Sequence, residues 1–368
     1  MKLINTKGFQ IIKKIISVII FFVILVYLVS KTGQFARPDD NDTDMWATYY
    51  AEDKNTIDVI MIGSSALYRY WIAPQAYEEQ GFTSTVIGSA SQDICQIPYI
   101  MEEAVKSQDA DLIVVELRNI VARDQYDAIS PEEQKYRFEV VTSGMNPSIT
   151  RLKMINDLYD EDLISKMEMM FSVLKYHNNL MEYDRDYLIE RLKNEPVSDK
   201  YVNVRADVKA KKKLVYESDD DTILSEKSKT YIDAIEDKAK ELDKKVLLIF
   251  TPYKPRKDQI VEQKQIGEYC KKQGYDYLDM NLYVDDIGLD FSTDLYNGKH
   301  TNVAGSQKVT TYLAEYMKQQ YGLSADLDKK QKAEWQHACE LWHEERTTLM
   351  QKWEDNLSLI HISEPTRR

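Results

Sequence analysis

Four short apolar runs, spaced along the chain, constrain the fold most. Each is rich in Val, Ile or Leu, and they occupy residues 57–62 (IDVIMI), 85–87 (TVI), 112–115 (LIVV) and 246–250 (VLLIF). Continuous runs of this length are typical of strands that are buried on both faces of a sheet. Helical patterns separate the runs, so the sequence predicts an α/β fold with a parallel sheet.

The segments between and after these runs are predicted to be mostly helical. Residues 124–217, rich in Tyr, Met and Lys, are predicted to form a helical insertion between the third and fourth strands. Such an insertion would cover the carboxyl edge of the sheet, where ligands bind in α/β folds, or would serve packing alone. After a weak fifth strand at 275–278 and a helix at 309–320, residues 326–356 are expected to form a C-terminal helix docked on the domain.

An uncharged apolar run at residues 15–29 predicts a single membrane-spanning segment within residues 1–30. Lys2, Lys7, Lys13 and Lys14 precede it, so the positive-inside rule predicts a cytoplasmic N-terminus and an extracytoplasmic main domain. A cleaved signal peptide is the alternative, although no convincing small-x-small cleavage site follows the run. Residues 31–55 are polar and predict a linker.

The residue pattern of the C-terminal segment differs from that of the rest of the chain. Residues 357–367 (LSLIHISEPTR) resemble the translation of a transposase-type sequencing adapter. We therefore expect residues 357–368 to be an artefact and leave them out of the fold prediction.

Charge and cysteine usage exclude several classes of function. The net charge of −13, without a clustered basic patch, argues against nucleic acid as a partner. Three widely spaced cysteines form neither a disulfide framework nor a zinc-ligand pattern, and His337 and His343 are six residues apart, which does not suit a metal pair on one helix face. We expect no cofactor and no metal.

Chemically capable side chains follow the apolar runs, where the carboxyl ends of parallel strands meet. They are Ser64, Ser65, Gly88, Glu116, Arg118, Asn119 and Thr251. A serine needs a base to take its proton, and His300, in a late loop, is the best-placed histidine. A glycine allows a backbone N–H to approach an oxyanion closely. The alternative role for Ser65 is a helix N-cap.

These residues resemble the motif blocks of the SGNH/GDSL hydrolases. Gly63-Ser64-Ser65, Gly88 and the segment from His300 to Gly305 (HTNVAG) carry the resemblance, which covers about residues 56–325. With the N-terminal anchor, the chain is similar to the membrane-bound branch that includes the teichoic-acid D-alanyl transfer proteins. The resemblance implies a flavodoxin-like, three-layer α/β/α domain.

The resemblance also implies residue roles. Ser65 would be the nucleophile and His300 the base, with the backbone N–H groups of Ser65 and Gly88 forming the oxyanion hole. Asn119 would match the family's block III asparagine, although the preceding Gly-x is missing.

One position departs from the family pattern beside the histidine. Asn297 stands where the family has aspartate, three residues before His300, and Asp294 is the acidic residue that would substitute for it. An asparagine can hold the imidazole by a hydrogen bond but cannot balance imidazolium charge.

The function expected from the resemblance is that of a bacterial, membrane-anchored extracytoplasmic esterase or O-acyltransferase. It would act on ester groups of cell-envelope glycans or polyols, with a teichoic-acid-like polysaccharide as substrate and a membrane-bound O-acyltransferase as partner. The alternative is a catalytically degenerate domain that binds glycan or acts as a scaffold in the envelope.

Overall fold

A parallel five-stranded sheet forms the centre of the fold. The computed structural model describes residues 7–36, 41–90, 92–121, 130–186, 189 and 202–363. The strands are β1 (Val59–Gly63), β2 (Ser84–Gly88), β3 (Leu112–Glu116), β4 (Lys245–Phe250) and β5 (Tyr277–Asp279), in the spatial order β2-β1-β3-β4-β5. All pairings are parallel, which confirms the predicted α/β class.

The described helices precede, connect or follow these strands along the chain. In chain order they are α1 (Lys7–Ala36), α2 (Asn41–Ala51), α3 (Ser65–Tyr68), α4 (Ala73–Gln80), α5 (Ile97–Ala104), α6 (Arg118–Val121), α7 (Pro131–Ser143), α8 (Ile149–Leu158), α9 (Leu163–Met170), α10 (Ser172–Tyr176), α11 (Asn179–Glu182), α12 (Glu226–Glu241), α13 (Lys257–Gln273), α14 (Val284–Ile287), α15 (Val303–Tyr321) and α16 (Lys329–Ser363). Short 3₁₀ turns at Ile94–Gln96 and Met280–Tyr283 complete the described elements.

The order of the strands determines where a site can form. β1 lies between β2 and β3. The chain passes from β1 to β2 on one side of it and then crosses to β3 on the other side, so the strand order reverses at β1. Residues of β1, β2 and β3 are buried throughout, which explains why these strands read as continuous apolar runs. The crevice at the carboxyl ends of such strands is the usual ligand site of an open α/β sheet.

The contacts of the chain divide it into two compact units. One unit contains α1 together with α8, α9, α10 and α11, and the other contains the sheet with the remaining helices. Within the first unit, Gly33 of α1 packs against the backbone of Val173, and the Asn179 amide donates a hydrogen bond to the Ala36 carbonyl.

The N-terminal helix has the length and composition of a membrane span. Residues Gly8–Gly33 of α1 are long and apolar enough to cross a bilayer, and none of the most apolar 18-residue window within them is buried inside the protein. This agrees with the predicted membrane segment as far as length and composition go.

The predicted linker at residues 31–55 requires correction. α1 continues to Ala36, and α2 buries Met45, Trp46 and Tyr49 against the sheet unit. The Tyr49 hydroxyl donates to the Ala104 carbonyl at the end of α5. The sequence did not predict this helix because the residues before Met45 are polar. Met45, Trp46 and Tyr49, at spacings of one, three and four, form a buried stripe only over the second half of the helix.

The predicted helical insertion is helical only in part. Residues 202–217 contain no helix, and residues 124–129, 187, 188 and 190–201 lie outside the described part of the chain. Apolar and polar residues alternate here, so that Val204 and Ala206 are buried while Arg205 and Asp207 are exposed. This period of two is typical of an extended segment, not of a helix.

The C-terminal helix extends beyond the predicted end at residue 356. Trp335 and Trp342 of α16 are buried, and α16 continues to Ser363, through the beginning of the adapter-like segment. Residues 364–368 lie outside the described residues.

Candidate active site

The turn after β1 presents one serine and uses the other for structure. Ser64 is the N-cap of α3, and its hydroxyl accepts a hydrogen bond from the Ala66 N–H at 3.3 Å. Ser65 is the first residue of the helix and is half-buried. The capping role considered for Ser65 therefore belongs to Ser64, which leaves the Ser65 hydroxyl available for another partner.

That partner is His300. Nε2 of His300 lies 2.9 Å from Oγ of Ser65, a hydrogen-bond distance. His300 is carried by a short hairpin, closed by an antiparallel bridge between Leu295 and Thr301 and by a hydrogen bond from the Tyr296 N–H to the His300 carbonyl. The helix after the hairpin begins at Val303, earlier than the predicted residue 309, because the Asn302 side chain caps it.

Asn297 holds the other nitrogen of the imidazole. Its Oδ1 accepts a hydrogen bond from the Lys299 N–H at 2.8 Å and lies 3.1 Å from Nδ1 of His300. A backbone N–H can only donate, so this contact assigns the oxygen of the amide to the side that faces the ring. Nδ1 must then carry the proton, and Nε2 presents its lone pair to the Ser65 hydroxyl.

Burial and nearby cations keep His300 neutral. Burial, followed by the positive charges of Arg118, Arg69, Lys299 and Arg205, lowers the pKa of His300 from 6.5 to about 3. The imidazole also stacks on the Tyr296 ring, with 5.3 Å between centroids and 7° between planes. A neutral imidazole with a free Nε2 lone pair is the form that accepts a proton from serine.

Asp294 is bound elsewhere. Its carboxylate is buried and accepts hydrogen bonds from Lys308 Nζ at 2.7 Å, the Asp290 N–H at 2.7 Å and the Thr293 hydroxyl at 3.0 Å. None of its partners is His300. The structure thus places Asn297, not Asp294, beside the imidazole.

Gly88 and Gly63 are paired across the ends of β2 and β1. A Cβ at residue 88 would lie 2.2 Å from the Gly63 carbonyl oxygen, so only glycine fits there. The backbone at Gly88 therefore stays close to the turn that carries Ser65. Asn119 is half-buried in α6, and its amide donates to the Gln92 carbonyl in the segment after β2.

A buried polar network lies beneath the histidine hairpin. Arg118 donates to the carbonyl of Lys299 and to the Thr251 hydroxyl, and its Nε is 3.7 Å from the Glu116 carboxylate. The hydroxyl of Tyr70 is 2.6 Å from the Lys299 carbonyl oxygen. The sequence analysis placed Glu116, Arg118 and Thr251 at the ends of strands but assigned them no role. It did not identify Tyr70, which only its position shortly after α3 could have indicated.

A cleft of about 550 Å³ lies beside the hairpin. Its charged and amide side chains come from Arg69, Asn203, Arg205, Asp207, Lys352, Asp355 and Asn356. Arg69 comes one turn after Ser65, and the Arg205 guanidinium lies 5.8 Å from the centre of the Tyr296 ring that stacks on His300. Sequence reasoning missed Arg69 and Arg205, since neither follows an apolar run.

The contacts described above involve neither the cysteines nor the histidines of α16. Cys95, Cys270 and Cys339 form no disulfide bond with one another. His343 of α16 contacts Glu78, and His337 is paired with Glu340 on the same helix. Among the described residues, no group of three His, Cys, Asp or Glu side chains could hold a metal ion.

Comparison of the chain with models of known protein families and with curated proteins finds no match. The functional argument therefore rests on the side chains themselves.

Proposed function

We propose that this protein is a serine esterase or O-acyltransferase of the SGNH type. The observation that carries the proposal is the 2.9 Å contact between Ser65 Oγ and His300 Nε2, with Asn297 on the opposite nitrogen of the ring. A serine hydroxyl held by a correctly protonated imidazole is the activated nucleophile of acyl transfer.

The proposed reaction proceeds through an acyl-enzyme. Ser65 Oγ attacks the ester carbonyl as its proton passes to His300 Nε2. The backbone N–H groups of Ser65 and Gly88 would stabilise the oxyanion, and His300 would return the proton to the departing alcohol. Water or an acceptor hydroxyl would then attack the acyl carbon and lose its proton to His300 Nε2. The bond between the acyl carbon and Ser65 Oγ would break, and His300 would return the proton to Ser65.

The substrate class follows from the surroundings of the site. The cleft next to the hairpin, which is lined by Arg69 and Arg205 but not by Ser65 or His300, exposes cationic, carboxylate and amide side chains. Such side chains suit a hydroxylated and partly charged ligand such as a cell-envelope glycan or polyol. With α1 as a single-pass anchor, the sheet domain would lie outside the membrane beside a teichoic-acid-like polymer. A membrane-bound O-acyltransferase is the proposed donor partner.

Asn297 favours a second candidate function. A neutral amide does not balance the charge of an imidazolium, so a domain with Asn297 could retain the fold and the cleft while having lost turnover. The chain would then bind glycan or act as a scaffold in the envelope.

Labelling of the nucleophile distinguishes the two functions. The full chain in detergent micelles is treated with a fluorophosphonate probe and, separately, with p-nitrophenyl acetate. We expect labelling and acetate release that disappear in Ser65→Ala. Ser64→Ala is the matched control, because it removes the neighbouring hydroxyl and should cost only about 1 kcal/mol of helix capping. Failure of the unmodified chain to react, or equal labelling of Ser65→Ala, would refute the esterase proposal.

A further inference from the structure

The backbone next to the nucleophile and the backbone next to the base are joined by one hydrogen-bonded path. The Thr251 hydroxyl lies 2.7 Å from the carbonyl oxygen of Ala66, the residue after Ser65. Nη2 of Arg118 donates to the same hydroxyl at 2.6 Å, and Nη1 of Arg118 donates to the carbonyl of Lys299, the residue before His300. Arg118 thus connects the turn after β1 to the histidine hairpin.

The guanidinium itself is held firmly. Arg118 is buried, lies 4.1 Å from the centre of the Tyr253 ring and 5.3 Å from that of Tyr70, and is paired with the buried Glu116 carboxylate. The planar fork of an arginine loses little conformational freedom when aromatic rings and a carboxylate restrain it. A restrained donor defines the position of the carbonyl that it binds.

The hairpin depends on such external support. The Leu295–Thr301 bridge and the hydrogen bond from the Tyr296 N–H to the His300 carbonyl close it, and Asn297 and Lys299 near its tip belong to no regular element. From outside the hairpin, the Lys254 N–H donates to the Gly298 carbonyl at 3.1 Å. The Lys299 carbonyl accepts a hydrogen bond from Arg118 and lies 2.6 Å from the Tyr70 hydroxyl, whose proton it shares with the Pro252 carbonyl at 2.9 Å. Burial raises the pKa of Tyr70 to about 12, so its hydroxyl keeps the proton that it donates.

We propose that Arg118 is a positioning residue for His300. Its guanidinium, with the Tyr70 hydroxyl, holds the Lys299 carbonyl and so fixes the imidazole against the Ser65 hydroxyl. The inference rests on the proposed acyl-transfer function for its kinetic consequence, but the position of the imidazole is measurable without any reaction. Displacement of a reacting group by about 1 Å costs on the order of 100-fold in rate.

The first measurement is spectroscopic and needs no substrate. The full chain is labelled with ¹⁵N-histidine in detergent micelles, and the Nδ1–H resonance of His300 is assigned by its loss in His300→Gln. We expect this resonance to be sharp in the unmodified protein, because the proton is held by Asn297. Arg118→Met should broaden or abolish it, whereas Arg118→Lys, which keeps a cationic donor, should restore it.

The second measurement is the rate of fluorophosphonate labelling per folded chain. We expect a decrease of about 10- to 100-fold in Arg118→Met and a smaller one in Arg118→Lys and Tyr70→Phe. Thr251→Val should also slow labelling, and Thr251→Ser is its matched control because it keeps the hydroxyl. Folding of each variant is followed by thermal unfolding, and endpoint labelling counts the competent chains.

The outcomes separate the positioning role from other roles. A sharp Nδ1–H resonance and an unchanged labelling rate in Arg118→Met would overturn the proposal. The proposal would also be overturned if Arg118→Met lowered the melting temperature and the final extent of labelling but left the labelling rate per competent chain unchanged. That result would show that Arg118 has a purely structural role. If the unmodified chain is not labelled at all, the esterase function fails, and the histidine resonance alone decides the role of Arg118.

Discussion

The Oδ1 atom of Asn297 lies 3.1 Å from Nδ1 of His300, while Nε2 of the same ring lies 2.9 Å from the Ser65 hydroxyl. Asparagine here performs half of the task of a triad aspartate. It selects the productive tautomer, because its oxygen is already oriented by the Lys299 N–H, but it brings no negative charge. The cations around His300 make that missing charge more consequential.

Asn297→Asp should increase the reactivity of Ser65. A carboxylate at this position would stabilise the imidazolium formed when Ser65 loses its proton, and the reverse change costs a serine protease about 10⁴ in turnover. We expect p-nitrophenyl acetate hydrolysis to rise at least about ten-fold. Asn297→Ala is the control and should slow hydrolysis, because it removes the tautomer-selecting contact. An unchanged rate in Asn297→Asp would show that charge at this position does not limit the reaction.

The lowered pKa of His300 predicts how the stability of the fold depends on pH. The unfolded chain binds a proton on this histidine below about pH 6.5, whereas the folded protein does so only near pH 3. Stability should therefore fall as the pH decreases between these values. Between about pH 7 and pH 5, we expect the melting temperature to fall less in His300→Gln than in the unmodified protein. Equal pH dependence of the melting temperature in His300→Gln and in the unmodified protein would contradict the prediction.

Gly88→Ala should destabilise the sheet. The added Cβ would lie 2.2 Å from the Gly63 carbonyl oxygen, and β1 and β2 must separate to admit it. Overpacking of this kind costs about 1–3 kcal/mol or more in the free energy of unfolding, measurable by chemical denaturation. Gly298→Ala is the comparison, because its Cβ would meet only Lys211 Cε, at 3.7 Å. Equal stability of the two variants would contradict the packing argument.

Asp294→Asn should affect folding and not chemistry. The buried carboxylate binds Lys308 and the Asp290 N–H, and loss of its charge weakens these bonds by about 1.5–3 kcal/mol. We expect a lower free energy of unfolding with an unchanged labelling rate per folded chain. A large fall in that rate, with stability preserved, would instead indicate that Asp294 acts on His300.

Part of the fold could be predicted from residue patterns alone. β1, β3 and β4 are continuous apolar runs because both of their faces are buried, and that pattern is local. α2 and the extended segment at residues 202–217 were harder to predict. The stripe of Met45, Trp46 and Tyr49 is short, and alternation in a Lys-rich segment indicates an extended conformation only if a neighbouring surface covers the apolar positions.

The sequence by itself determined the chemical types available at the ends of the strands: a serine after β1, a glycine after β2, Glu116 and Arg118 around the end of β3, and a late histidine. Tertiary structure decided which of them meet. It joined Ser65 to His300, left Asp294 with Lys308, and placed Arg118 and Tyr70 on the Lys299 carbonyl. The contacts of Ser65, Arg118 and Tyr70 with the hairpin join residues far apart in the chain, and strand order and the path of the hairpin set their distances. No local pattern encodes a distance of that kind, since it depends on how the whole sheet packs.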